Sequence, residues 1–468
     1  MSTNSITLVG AGLVGSLLGL YLARRGFSVR ILERRLDMRK HEISAGRSIN
    51  LAISERGINA LRRLGLADEV LRHAIPMKGR MMHSLSGELT FQPYGTQESE
   101  YINSISRATL NKILMSKAEA TGLVQIHFSK RVSGIDFDTE ELYTVDEKSD
   151  RFDKEKIGIV IGTDGSASAI RSGMQKLEGY RFNSANLDYG YKELVIPPAD
   201  GGGFRMERNA LHIWPRGSYM LIALPNYEGS FTCTLFLPFS GAVSFEALQN
   251  PDQVEAFFRS HFPDAVPLIA DLKETFMQNP MGHMTTIKSP KWNVGGKVLL
   301  MGDAAHGIVP FFGQGMNCGF EDCVIFDELL EKHVKGHTVD WEAIFKEMSA
   351  LRPPNTDAIA DMAVENFIEM RDKVGDKFFL MQKEVEKVLT KKFPGRYISR
   401  YALVTFTNVP YKLARDVGEV QDAMLKELCF GLANAENVDL KKAETLIDEK
   451  LATLLRPYAD QLAAVPAH

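Results

Sequence analysis

The stretch SITLVGAGLVGSLLGLYLARRGFSVRILE, residues 5–33, decides the fold. Ser5-Ile6-Thr7-Leu8-Val9 is a short apolar run of strand type. Gly10-Ala11-Gly12-Leu13-Val14-Gly15 then forces a tight turn, and Val14 to Arg25 carries a helical pattern. A second β-rich run, Ser28 to Glu33, follows Gly26. The result is a β-α-β unit. Its glycines let a backbone approach a pyrophosphate resting on the helix N-terminus, and Glu33 ends the second strand where a carboxylate accepts hydrogen bonds from a ribose hydroxyl. The plainer reading is a glycine-rich turn that serves helix–strand packing; the strand, helix and acidic partner together favour a dinucleotide site.

Around this unit lies a chain of 468 residues, long enough for two or three domains. A hydrophobic share of 44% and a charged share of 24% are those of an ordinary globular protein. A net charge of -4 argues against a general nucleic-acid binder. Cys233, Cys318, Cys323 and Cys429 are too few for a disulfide scaffold and form no CxxC pair, so reduced thiols in a cytosolic protein are expected. Ser2 to Ala23 carries no charge, but no basic segment precedes it and glycines punctuate it, which fits a strand, a turn and a buried helix better than a membrane span.

Further along, Arg34–Arg47 reads as a polar surface loop, Glu55–Ala74 as helix, Met77–Pro93 as β, and Ser104–Ala120 as amphipathic helix. Val124–Tyr143 predicts strands with a polar hairpin, the charged run Asp146–Lys156 a solvated turn, and Lys156–Gly162 a buried strand. From Tyr180 the pattern alternates, with strands at Leu211–Trp214, Tyr219–Leu224 and Phe231–Phe239. A parallel-type strand returns at Gly296–Met301, and helix dominates from Gly319 to the end. The expected fold is α/β: a Rossmann-like dinucleotide-binding domain (1–75, 101–180, 286–345), an inserted antiparallel β-sheet domain (76–100, 181–285) and a helical C-terminal region (346–468).

Two more motifs sharpen this. Gly162-Thr163-Asp164-Gly165-Ser166-Ala167-Ser168-Ala169-Ile170-Arg171 follows a strand; read locally, its Asp caps a helix. Gly302-Asp303-Ala304-Ala305-His306 leads to Pro310 and to Gly313-Gln314-Gly315-Met316-Asn317. In order and content these three stretches resemble the fingerprints of the FAD-dependent aromatic hydroxylases. The resemblance implies non-covalent FAD held by Gly10, Gly12, Leu13, Gly15, Glu33, Arg34, Arg107, Asp164, Asp303, Pro310, Gly313, Gly315, Met316 and Asn317. Asp303 would bind the ribityl chain, and backbone N–H groups of the 313–317 loop would face the flavin pyrimidine edge, stabilising negative charge there. His306 reads as structural. His333 and His337 flank Gly336 without an HExxH carboxylate, so no zinc site is expected.

Gly46–Ala52, Gly79–His83, Gln92–Gly95, Leu211–Pro215, Glu365–Met370 and Tyr401–Phe406 further resemble the kynurenine-hydroxylating branch of that family. The similarity extends to about Pro410. It implies ring hydroxylation of L-kynurenine in tryptophan degradation, with NADPH and O2 as co-substrates and a flavin hydroperoxide as oxygen donor. It also implies that Arg80 and Tyr94 hold the substrate carboxylate, that Asn366 and Tyr401 complete that grip, and that Glu369 and Met370 lie near the amino-acid end. Phe236, Pro310 and Phe311 would shape the ring pocket. The residues themselves are compatible: Ile359, Met362, Asn366 and Met370 share one helical stripe with Glu369 at its edge. Read alone, Asn366 bonds a neighbouring backbone group and Arg80 is a surface arginine.

Two features depart from the family pattern. Eukaryotic members carry a hydrophobic C-terminal anchor, whereas Leu451–His468 is charged and carries prolines, so a cytoplasmic enzyme is expected. Phe312 stands where some bacterial relatives have His, which removes any proton relay there. No protein acid or base is assigned, because the aniline nitrogen itself activates the ring. The alternatives are a hydroxylase of another aminoaromatic or phenolic acid, and a flavin-binding redox sensor without turnover; a halogenase would carry a WxWxIP segment, which the chain lacks.

Overall fold

The computed structural model describes residues 5–41, 50–95, 97–336, 338–372 and 376–463, without the side chains of 370–372 and 463. Gly46–Ile49 and His337 lie outside them. The opening unit forms as read: strand Ser5–Val9, helix Leu13–Arg24, strand Ser28–Glu33. Gly10 has φ +98°, and a Cβ on it would sit 2.7 Å from the Thr163 carbonyl oxygen. A Cβ on Gly15 would lie 2.0 Å from the Gly10 carbonyl oxygen, so only glycine lets the helix pack so close to the turn.

The opening strand is central in a sheet ordered 293–294, 298–300, 159–162, 5–9, 28–33 and 124–128, parallel except at its 293–294 edge. Parallel strands covered on both faces need continuous apolar runs, and Ile6, Leu8, Ile31, Val160, Ile161 and Leu299 are buried. Helix Leu13–Arg24 lies between helices Arg107–Ala120 and Gly315–His333, all packed on one core.

The inserted sheet has the strand order 282–288, 183–196, 231–238, 220–225, 210–215, 79–83 and 89–93. It is antiparallel except where Ala210–Pro215 runs parallel to Gly79–His83. Alternation sorts its side chains. Trp214, Leu221, Leu235 and Leu237 pack against helices Pro251–His261 and Leu272–Gln278, which the alternating pattern did not announce. Arg80, Met82, Leu211, Ile213, Met220, Ile222 and Phe236 face a cavity on the other side. Strand Gly282–Lys288 runs through the boundary expected at 285, because it pairs with Asn183–Ile196. Helix Trp341–Leu351 likewise crosses the boundary expected at 345.

Four local expectations need correction. The helix expected over 55–74 is broken by Gly65 at φ +71° into Glu55–Arg62 and Ala67–Leu71. The helix expected from Ser104 starts at Arg107: Ile102–Ser106 is a strand pairing with Asn50–Ile53 and Ile75–Met77, and the Ser106 side chain caps the helix. Arg151–Lys156 is a strand, paired with Glu141–Asp146; its charges find opposite partners, such as Lys154 on Glu141 at 3.2 Å. The last region is helical from Gly315 rather than Gly319, and Val334–Lys335 pairs antiparallel with Thr338–Val339. No helix among the described residues is long and apolar enough to cross a membrane.

Candidate active site

A cavity of about 1380 Å³ runs from the dinucleotide turn, under the inserted sheet, to the C-terminal helices. That exceeds the few hundred to about 1,000 Å³ of a typical small-molecule pocket and leaves room for two molecules. One arm is walled by Gly10, Gly12, Leu13, Glu33, Arg34, Arg107, Asp164, Asp303, Pro310, Gly313, Gly315 and Met316. The other holds Arg80, Tyr94, Phe236, Phe311, Asn366, Glu369 and Tyr401. The Met370 side chain lies outside the described residues.

The first arm fits FAD. Gly12 precedes helix Leu13–Arg24 with no side-chain cap, and a Cβ there would meet nothing within 4 Å, so the first-turn N–H groups open onto the cavity. Helix Gly315–His333 also begins at this wall without a side-chain cap. Glu33 accepts the Ala11 N–H at 2.9 Å and the Arg35 Nε–H at 2.8 Å. Burial alone would raise its pKa, but the bonds from Arg35 more than offset this and hold it below the usual carboxylate range. It is an ionised acceptor at the position a ribose would occupy. Asp164 accepts the Ala169 N–H at 2.7 Å through Oδ2, while its buried Oδ1 has no hydrogen-bond partner among the described residues. An orphaned carboxylate oxygen on a cavity wall calls for a donor from a ligand or water.

Two motif residues sit behind the wall. Gly15 serves the close contact with Gly10. Asn317, fully buried, accepts the Ser54 N–H at 3.0 Å and donates to the Ala52 and Gly313 carbonyls, both at 2.9 Å. It ties the Gly313–Gly315 loop to its neighbouring strand. His306 is buried too, donating from Nε2 to Asp322 at 2.6 Å and stacking on Trp292, and it does not line the cavity. His333 pairs with Glu347 at 2.8 Å.

In the second arm Arg80 is the centre. Its guanidinium carbon lies 5.2 Å from the Tyr94 ring and 5.3 Å from the Tyr401 ring, which stack on one another at 5.7 Å. Among the described residues no carboxylate pairs with it. Burial raises the pKa of both phenols, so they remain neutral and able to donate. Among the described residues the buried Tyr94 hydroxyl has no hydrogen-bond partner. A cation with two hydroxyl donors and no protein anion is built for an anion from outside. Beyond it the wall turns apolar: Phe236, Phe311 and Phe367 pack at 5.0 and 4.4 Å. Asn366 donates to the Phe311 carbonyl at 2.7 Å, so one arm of its amide fixes the Pro310–Phe312 turn, as the local reading of Asn366 required. Glu369 lies 3.8 Å from Arg400. Phe312 stacks on Tyr401 at 5.8 Å.

Sequence reading missed Met82, Leu211, Ile213, Met220, Ile222, Met362 and Phe367, which also line the cavity. Strand alternation held the signal for Leu211 and Ile213: with His212 and Trp214 turned away, both must face the same side as Pro215.

Residues 3–200 and 250–350 match the family described as FAD binding domain. The chain is similar to the kynurenine 3-monooxygenase of Myxococcus xanthus, at 55% identity over 98% of this chain and 97% of that protein. It is similar to the enzyme of the same name from Stenotrophomonas maltophilia, at 45% over 97% and 98%. Among solved structures, 2-methyl-3-hydroxypyridine-5-carboxylic acid oxygenase superposes with TM-score 0.64 at 19% identity, covering 81% of this chain and 94% of that one. PqsL from Pseudomonas aeruginosa in complex with 2-aminobenzoylacetate gives 0.61 at 17%, covering 79% and 96%. At such identities the structural likeness speaks for the fold.

Proposed function

The chain belongs to the kynurenine 3-monooxygenase family, and we propose that its second cavity arm binds L-kynurenine with the carboxylate on Arg80, Tyr94 and Tyr401. The protein is an FAD-dependent monooxygenase that converts L-kynurenine, NADPH and O2 to 3-hydroxykynurenine, NADP+ and water. One observation carries the pocket assignment: the Arg80 cation, without a carboxylate partner among the described residues, lines the same cavity as the FAD-fingerprint residues and shares its wall with Phe236, Phe311 and Phe367.

Gly12, Glu33, Asp164, Asp303 and the Gly313–Gly315 loop would hold FAD, which would supply the electrophilic oxygen, with NADPH as reductant and O2 as oxygen source. The protein binds, orients and keeps water out. Arg80 and the two phenols fix the amino-acid end, with Glu369 near the ammonium group. Asn366 holds the Pro310–Phe312 turn, so that Phe311, with Phe236 opposite, confines the ring between sheet and cofactor. The aniline nitrogen donates electron density to the ortho carbon, and the ring proton lost on rearomatisation needs no strong base. Phe312 offers no proton relay. The segments 1–75, 101–180 and 286–345 hold the cofactor in this reading. All four cysteines are buried free thiols, which fits a reducing compartment, and we place the enzyme in the cytoplasm.

Purified protein should be yellow and release FAD, not FMN, on denaturation; colourless protein that also refuses added FAD would contradict the cradle. NADPH oxidation should be slow alone and rise sharply with L-kynurenine, with 3-hydroxykynurenine identified by mass spectrometry. A rise with another aromatic acid but not with kynurenine would reassign the pocket.

A further inference from the structure

One buried cation joins the substrate-gripping segment to the cofactor loop. The Arg56 side chain has 0% exposure, yet it stands on helix Glu55–Arg62, outside both arms of the cavity. Its Nε donates to the Val404 carbonyl at 3.2 Å, its Nη2 to the Val409 carbonyl, and its Nη1 to Glu321. Its guanidinium carbon lies 3.8 Å from the Tyr411 ring centroid. The Tyr411 hydroxyl donates to Gln314 Oε1 at 2.8 Å, and the Gln314 amide donates to Ser54 Oγ at 3.3 Å. Gln314 stands between Gly313 and Gly315, both on the cavity wall of the cofactor arm.

Val404 belongs to helix Arg400–Phe406, which carries Tyr401 one turn earlier. The same helix therefore touches Arg80 at one end and Arg56 at the other. A buried guanidinium loses heavily if any of its acceptors withdraws. Movement of this helix is thus resisted at Arg56 and passed through the Tyr411 ring and hydroxyl to Gln314, rather than absorbed by soft side chains.

We propose that Arg56, with Tyr411, is a positioning residue that makes the state of the cofactor loop depend on whether Tyr401 is engaged by substrate. It touches neither substrate nor cofactor. The inference rests on the placement of kynurenine against Arg80 and Tyr401 given above.

Tyr411→Phe removes one hydroxyl and keeps the ring over Arg56, so it should fold. Holoenzyme is titrated with L-kynurenine, and the change in the flavin absorption band is recorded alongside the ratio of NADPH oxidation with and without substrate, and the peroxide formed per NADPH. In Tyr411→Phe the FAD content stays normal, the band change shrinks, peroxide rises, and the ratio falls about three- to tenfold, the worth of one hydrogen bond. Arg56→Met moves every reading further the same way. Arg56→Lys recovers part, since it keeps the charge but neither the planar fork nor the stacking. Saturating kynurenine restores the response in Arg80→Ala but not in Tyr411→Phe. A Tyr411→Phe protein with the wild-type band change and ratio overturns the link. Wild-type protein whose flavin band ignores kynurenine overturns the pocket assignment instead.

Discussion

Arg80→Ala should weaken kynurenine binding by about two to four decades while leaving FAD content near normal. With ligand in place the arm is dry, and removal of the guanidinium leaves a buried carboxylate without its counter-ion, at a cost of roughly 3–5 kcal/mol. At about 1.4 kcal/mol per decade this gives the expected range. The two phenols remain as neutral donors, which keeps the loss from being larger. Arg80→Lys should recover only part: an ammonium cannot present two parallel N–H bonds to a carboxylate, nor reproduce the planar guanidinium beside the Tyr94 and Tyr401 rings. Cofactor retention should not change, because Arg80 stands on the inserted sheet and touches no residue of the glycine turn, the Asp164 segment or the Gly302–Asn317 segment among the contacts described. Isothermal titration with kynurenine, beside a flavin absorbance measurement, reads both quantities. Unchanged affinity would show that the carboxylate is held elsewhere.

What could be read from the sequence follows the range of each interaction. The glycine turn is legible because its chemistry is local: Gly10 needs positive φ, Gly15 needs the absent Cβ, and Glu33 reaches Ala11 across one β-α-β unit. The sheet strands are legible for the same reason, alternation being a property of neighbours. The break at Gly65 was legible in principle, since a glycine after Arg62 offers the left-handed residue that ends a helix; Leu61, Leu64 and Leu71, which fall on one side of a continuous helix, masked it. Strand Arg151–Lys156 was hidden because its charges read as solvent-exposed turn, whereas cross-strand partners on Glu141–Asp146 neutralise them.

The site divides in the same way. Motif membership says that Asn317 matters, but not that it acts from behind the wall, by bonding Ser54, Ala52 and Gly313. The Arg56 cluster was invisible: Ser54, Arg56, Gln314, Glu321, Arg352, Val404 and Tyr411 show no spacing that joins them, and only packing of four distant segments brings them together. A buried arginine cannot be told from a surface one by its neighbours in sequence.

Asp322→Asn should destabilise the fold by roughly 3–5 kcal/mol, the cost of removing one partner from a buried ionic cluster. Asp322 is fully buried on helix Gly315–His333. Its Oδ1 accepts Arg352 Nε at 2.7 Å, and its Oδ2 accepts His306 Nε2 at 2.6 Å and the Gly302 N–H at 3.1 Å. An asparagine of the same shape has one acceptor oxygen and an NH2 group, so a donor must face a donor whichever way the amide is turned. The pH dependence has a definite sign. Burial opposes charge on His306, but Asp322 outweighs it and raises the imidazole well above 6.5. That contribution is fully present below about pH 6.5 and is lost as pH rises through the folded-state value. Burial opposes charge on Asp322 as well; His306 and Arg352 outweigh it, leaving the carboxyl below 3.8, so its contribution is present above that value and fades in acid. The difference between wild type and Asp322→Asn in urea unfolding should thus be largest near pH 5–6 and narrow towards alkaline pH. Because Gly302 precedes Asp303 on the cavity wall, the variant should also lose FAD more readily than wild type at equal fractions folded. A difference that does not change with pH would mean that His306 stays neutral in the fold and that the pair is an ordinary hydrogen bond.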